Sequence, residues 1–128
     1  MERISVILLD TDILIDVGRG VKTSVDVVKH ITDESTIAIS IVTQMELVIG
    51  CRNKSELQKL NKFLKNFQII SLDVEISKNA LELLKKFRLS HGLLIADSLI
   101  AATALTYNLP LATRNVRDFK FIPKIQLL

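Results

Sequence analysis

The chain has 128 residues with 17 basic and 14 acidic side chains, a formal net charge of +3, 48% hydrophobic residues and 24% charged ones. These proportions suit one globular domain over residues 1–128 with a real core, and they exclude long disorder, collagen-like repeats and low-complexity sequence. The single cysteine, Cys51, excludes an internal disulfide framework and any cysteine-based zinc site.

The N-terminus, from Met1 to Ser5, enters a strand-like segment directly, without the layout of a secretory signal. The longest apolar stretch, residues 92–112, is interrupted by Asp97, Asn108 and Pro110, so no membrane span is expected and a cytoplasmic protein is. Residues 6–9 form a short continuous apolar run, the pattern of a buried parallel strand. Residues 13–17 read as a helical turn ended by Gly18, and residues 24–32 as a helix with Val25, Val28 and Ile31 inward. A β-branched strand follows at 36–41, then a helix at 42–51. Ser55 reads as the cap of a helix over 56–66, whose inner face is Leu57, Leu60, Phe63 and Leu64. A third strand at 68–72 precedes a helix at 74–89, with Ile76, Ala80, Leu83, Leu84 and Phe87 at helical spacing. The most apolar helix covers 93–107, a fourth strand opened by Pro110 covers 109–113, and a short last strand covers 125–128.

Strands separated by helices require crossover connections, so the expected fold class is α/β, a three-layer sandwich around a mostly parallel, short-stranded sheet. The four glycines form no G-x-G-x-x-G or P-loop pattern, which excludes those nucleotide-binding folds. In open parallel sheets the ligand sits beyond the carboxyl ends of the strands. Asp10 and Asp12 follow the first strand, Ser40, Thr43 and Glu46 the second, and Thr113, Arg114, Asn115 and Asp118 the fourth. Asp97 interrupts the apolar helix, where an acid is costly unless it is paired or bound. Each also has a plain structural reading. Asp10 and Asp12 suit helix caps, Glu46 a surface acid, Asp118 a turn, and Asp97 a buried partner of Arg88 or Arg114. Four acids at matching topological positions are harder to explain as four unrelated caps.

Clustered carboxylates repel, and a divalent cation resolves the conflict. Oxygen ligands without cysteine, with only His30 and His91 dispersed along the chain, point to Mg²⁺ or Mn²⁺ rather than zinc. Setting those four acids aside leaves 17 basic against ten acidic residues, a surplus that suits a polyanionic substrate. His30 and His91 read as structural or solvent-exposed, and Cys51 as a small residue at a helix end. Six aromatic residues in all offer no readable base-stacking platform.

Four segments in series then resemble the motifs of PIN-domain ribonucleases. They are residues 8–16 (LLDTDILID), 40–50 (SIVTQMELVIG), 94–104 (LIADSLIAATA) and 109–119 (LPLATRNVRDF). Their order and spacing, and the compact length, look most like VapC toxins of toxin–antitoxin pairs. The resemblance implies Asp10, Glu46 and Asp97 as the main metal-site acids, with Asp118 completing the set. It implies Ser40, Thr43, Thr113 and Asn115 as groups that orient carboxylates or water. Asp12 stands where the family commonly has asparagine, so its role is either metal contact or helix capping. The resemblance further implies a homodimer and a small VapB-like antitoxin that inserts a segment into the active-site groove. Exposed apolar surface on helices 24–32 and 56–67 would suit both.

The expected chemistry is metal-dependent endoribonuclease cleavage of RNA, leaving a 5′-phosphate and a 3′-hydroxyl, with Arg114, Arg117, Lys120 and Lys54 along the backbone of the substrate. The same nuclease outside a toxin pair is one alternative. Others are a phospho-receiver domain using Asp73 and a phosphatase using Asp10-x-Asp12.

Overall fold

The computed structural model describes residues 5–128, so the reading of the first four residues lies outside it. Strand β1 (Ser5–Leu9) leads into helix α1 (Thr11–Gly18) and then α2 (Lys22–Glu34). Strand β2 (Ser35–Ser40) leads into α3 (Ile41–Ile49) and α4 (Lys54–Leu64). Strand β3 (Gln68–Ile70) leads into α5 (Val74–His91) and α6 (Ile95–Thr106), followed by β4 (Leu111–Ala112) and a single 3₁₀ turn, Val116–Asp118.

The four strands pair in the order β3-β2-β1-β4, and every pairing is parallel. Alternation along β1 divides the core. Leu8 and Ala38 face one side, where Ile76, Ala80, Ile100, Ala101 and Phe119 complete a layer built on α5, α6 and the C-terminal segment. Ile7, Leu9, Ile37 and Ile39 face the other, against Ile13, Leu14, Ile31 and Leu64 from α1, α2 and α4. Helices on both faces of a parallel sheet give the three layers expected. Among the described residues no helix is long and apolar enough to cross a membrane.

The boundaries shift where polar side chains take the helix starts. Asp10 accepts from Thr11 N and starts α1 two residues earlier than periodicity indicates. Ser40 accepts from Val42 N, which ends β2 at residue 40 and gives Ile41 to α3. Asn53, not Ser55, caps α4: its Oδ1 accepts from Glu56 N at 2.9 Å. Asp73 caps α5 through Ile76 N at 2.8 Å, and Tyr107 donates to its other oxygen. That occupied carboxylate has no place as a phospho-acceptor. The fourth strand is reduced to two residues, and the expected last strand is only one bridge, between Leu111 and Leu127.

Chain order 1-2-3 runs one way across the sheet, and β4 returns to the far side of β1. The crevice between β1 and β4 is therefore the topological switch point, where open parallel sheets bind ligands. Phe119 is the largest fully buried side chain and fastens the segment after β4 to the core. Phe119→Ala is expected to destabilise the protein by about 3–5 kcal/mol, read as a lower midpoint in urea unfolding.

Candidate active site

Asp10 sits at the mouth of that crevice, fixed by the sheet. Its N–H donates to Ala112 O at 2.9 Å. Its carboxylate is held on both oxygens: Thr11 N donates to Oδ1 and Thr113 Oγ1 to Oδ2, each at 2.8 Å. Thr113 follows β4, so the switch point itself brings these two residues together.

In the first turn of α1, Asp12 Oδ2 accepts from Asn115 Nδ2 at 2.9 Å and from Arg114 N at 3.2 Å. Asp12 Oδ1 is the one buried side-chain oxygen or nitrogen left without a hydrogen-bond partner among the described residues. A buried, unpartnered carboxylate oxygen is costly in isolation and suits a site awaiting a cation or water.

Glu46 comes from α3. Thr11 Oγ1 donates to its Oε1 at 2.7 Å and accepts from Thr43 Oγ1 at 2.9 Å, since one hydroxyl has one proton to give. The fully buried Thr43 thus braces Thr11, and Thr11 braces Glu46. Ser40 spends its hydroxyl on capping α3. Asp97 lies in the first turn of α6 and Asp118 ends the 3₁₀ turn. The other polar groups of α6 return to their own backbone, Ser98 to Ile95 O and Thr103 to Leu99 O. Asp97 makes no ion pair among the described residues. Arg88 is spent on the carbonyls of Gly92 and Leu93, and Arg114 pairs with the buried Asp16, which also accepts from Ser24. The expected alternatives for Asp97, Arg88 and Arg114, are both engaged elsewhere, and Arg114 is not free to grip a substrate.

Electrostatics tie the acids into one neighbourhood. Burial above all, then the Asp12 charge and to a smaller extent Asp97, push the Asp10 carboxyl up to about 7, against the hydrogen bonds from Thr113 and Thr11. Burial pushes Asp97 up to about 6, reinforced by Asp118, then Glu46, then Asp12. Five carboxylates from α1, α3, α6 and the 3₁₀ turn therefore feel one another across the crevice. They do not close into a cage: among the described residues no three His, Cys, Asp or Glu side chains stand as a ready coordination set. The donors present are oxygens only, the kind that hard divalent cations accept.

Three cavities surround the crevice. The largest, about 720 Å³, lies on α2 and is lined mainly by apolar groups with His30 and Arg114; none of the five acids lines it. A cavity of about 350 Å³ holds Asp97, Asp118 and Arg117 in its walls. A groove of about 700 Å³ between α1, α3 and α4 has Glu46 in its wall, with Arg19 and Lys59 beside it. The apolar surface expected on helices 24–32 and 56–67 is found only in part: Val27 on α2 is 43% exposed, but α4 has no strongly exposed large apolar side chain. The short α3 supplies them instead, through Met45, Val48 and Ile49, the last 82% exposed although its spacing from Glu46 reads as inward. Sequence reasoning assigned no role to Thr11 or to Asp16; a hydroxyl directly after the first acid, and an acid one turn beyond Asp12, were the available signals. Lys120 and Arg117 are exposed.

The sequence model of the PIN domain matches residues 7–124. "Ribonuclease VapC10" of Mycobacterium tuberculosis is 33% identical over 121 residues, covering 94% of this chain and 90% of that protein. Two solved structures superpose with a TM-score of 0.80. One is a toxin–antitoxin complex from Klebsiella pneumoniae, 31% identical over 93% of this chain and 94% of that one. The other is VapBC2 from Rickettsia felis bound to a DNA fragment from its promoter, 28% identical over 96% and 97%.

Carboxyls whose ionisation is suppressed by folding make the metal-free fold less stable as they ionise. For Asp10 and Asp97, raised from 3.8 to about 7 and about 6, the stabilisation is complete at acid pH and is lost as pH rises through those values. In EDTA, the contribution of these two groups to the thermal unfolding midpoint is expected to fall between pH 4 and 8, and Asp97→Asn to flatten the earlier part of that fall.

Proposed function

This chain belongs to the PIN-domain family, and from that membership we propose that it is a metal-dependent endoribonuclease, the toxin of a type II toxin–antitoxin pair, acting on RNA in the cytoplasm. The observation that carries the reading is the mutual electrostatic burden on Asp10 and Asp97, each raised by burial and by the charges of its acidic neighbours at the β1–β4 crevice. An enzyme tolerates such a burden where a cation relieves it.

In this reading Asp10, Glu46, Asp97 and Asp118 hold one or two ions, with Mg²⁺ or Mn²⁺ as the species. A bound divalent cation supplies Lewis-acid polarisation of a phosphoryl oxygen and a water activated at neutral pH. The chain's own residues do the positioning. Thr113 and Thr11 N hold the Asp10 carboxylate in one rotamer. The Thr43–Thr11 pair does the same for Glu46, and Asn115 with the Arg114 N–H orients Asp12. Fixed carboxylates need little reorganisation when charge develops on the substrate, which is where much of an enzyme's rate enhancement arises. Arg117 and Lys120 are left exposed to meet the RNA backbone, whereas Arg114 serves Asp16.

The partner in this reading is a small VapB-like protein, and the reading carries a homodimer of the toxin. The groove between α1, α3 and α4 supports the first. It is large enough for a peptide segment, and Glu46 in its wall puts an occupant beside one of the site acids. A phosphatase using Asp10 as nucleophile is disfavoured because the family match covers residues 7–124 and the similar proteins are ribonucleases by name.

Cleavage of RNA by the purified protein is expected to stop in EDTA and to return on adding Mg²⁺ or Mn²⁺, with 5′-phosphate and 3′-hydroxyl ends; cleavage undiminished by chelation overturns the reading. Thr11→Val is expected to lower kcat/KM or metal affinity by roughly 10–100-fold, and Asp97→Asn by more. Comparing the two in initial-rate assays across a metal titration separates lost orientation from a lost ligand.

A further inference from the structure

We infer that the cavity between the end of α5, the start of α6 and the C-terminal segment seats a single unpaired nucleobase of the RNA beside the phosphate that is cut, on a platform made by the rings of His91 and Phe121. The inference rests on the nuclease reading and deepens it, naming the substrate as single-stranded at the cleavage point.

The rings lie 4.2 Å apart between centroids and 12° from parallel. Phe87 packs edge-on against both, at 5.1 Å from Phe121 and 5.8 Å from His91. Ser90 Oγ lies 2.8 Å from His91 Nδ1. An exposed imidazole is thus held flat by three neighbours, at the point where α5 ends and Gly92, at φ 70°, turns the chain away. A surface ring fixed before the ligand arrives loses little conformational freedom on binding.

Both rings line the same cavity as Asp97, Asp118 and Arg117. Its volume of about 350 Å³ is near the lower limit of small-ligand sites, roughly 300–1,000 Å³. That admits one base and excludes a duplex. Proteins read unpaired RNA by stacking splayed bases on aromatic side chains while cations hold the backbone. Here the stack, the guanidinium and two of the site acids line one cavity, so a base laid on the outer face of the His91–Phe121 stack keeps its own phosphate in the cavity that holds those carboxylates. A protein segment would instead bring its backbone against Asp97 and Asp118, with no cation of its own required by the site. None of this is visible from spacing alone, because His91 and Phe121 come from opposite ends of the α6 hairpin.

The test is cleavage of a 5′-labelled pool of single-stranded oligoribonucleotides, randomised around a central position, by the wild type, His91→Ala and His91→Phe in Mg²⁺, with thermal unfolding as a check that all three fold. His91→Ala is expected to raise KM roughly 10-fold, the low end of one lost base stack, and to flatten the preference for the nucleotide next to the cut. His91→Phe keeps a ring and is expected to restore both. Replacing that nucleotide with an abasic ribose is expected to penalise the wild type and to leave His91→Ala unaffected. Equal KM and identical cleavage patterns for the wild type and His91→Ala overturn the inference while leaving the nuclease reading intact. So does duplex RNA cut as fast as single strands, and so does a His91→Ala protein altered only in its affinity for a partner protein. A pool left intact by the wild type overturns the nuclease reading and the inference with it.

Discussion

Like charges brought together at the end of a parallel sheet set the terms for the rest of this molecule. Asp10, Asp12, Glu46, Asp97 and Asp118 arrive on four separate elements, and the sheet order that puts β4 beside β1 leaves them facing one crevice. Burial makes the ionised carboxylates of Asp10 and Asp97 expensive, and their acidic neighbours add to that cost. The surrounding architecture answers that burden. Threonine hydroxyls and a backbone N–H fix the Asp10 and Glu46 carboxylates, so that repulsion cannot simply rotate these two away.

Two acids one helical turn apart on α1 show how finely the burden is divided. Asp16 is neutralised by Arg114 and bonded by Ser24, and it ties α1 to α2 and to the segment after β4. Its charge is thereby withdrawn from the crevice. Asp12 receives only hydrogen bonds from that same segment, on one oxygen, and keeps the other bare. Arg114 thus serves both: its side chain neutralises Asp16 while its backbone N–H orients Asp12. The Arg114 guanidinium, close to the candidate active site, is thus already paired in the protein before any substrate arrives.

Much of this was legible in the chain. Continuous apolar runs at β1 and β2, and Asp97 set in an otherwise apolar α6, are local signals, and they located the parallel sheet and its acids. The four motifs in series extended that reading to the family. What was not legible depended on competition between neighbours. Asn53 captured a cap that Ser55 was equally suited to supply, and Asp10 drew α1 two residues toward the sheet. Ile49 lies beside Glu46 by helical spacing, yet among the described residues it stays exposed with Met45 and Val48 on α3. Arg114 reads as a substrate contact because its partner, Asp16, lies nearly the whole chain away. Pairings between distant positions, such as Thr11 with Glu46 or His91 with Phe121, leave no periodic trace at all.

The Thr113–Asp10 hydrogen bond joins residues 103 positions apart, and the strand that carries Thr113 is only two residues long. Translation delivers β1 about a hundred residues before β4, while most of the core around α1 and α2 is built from residues that precede β3. A nascent polypeptide emerging from the ribosome therefore carries Asp10 without the hydroxyl that holds it and without Asp118. The crevice is therefore the last part of this fold to be completed, closed only when the segment from β4 to the 3₁₀ turn docks beside β1.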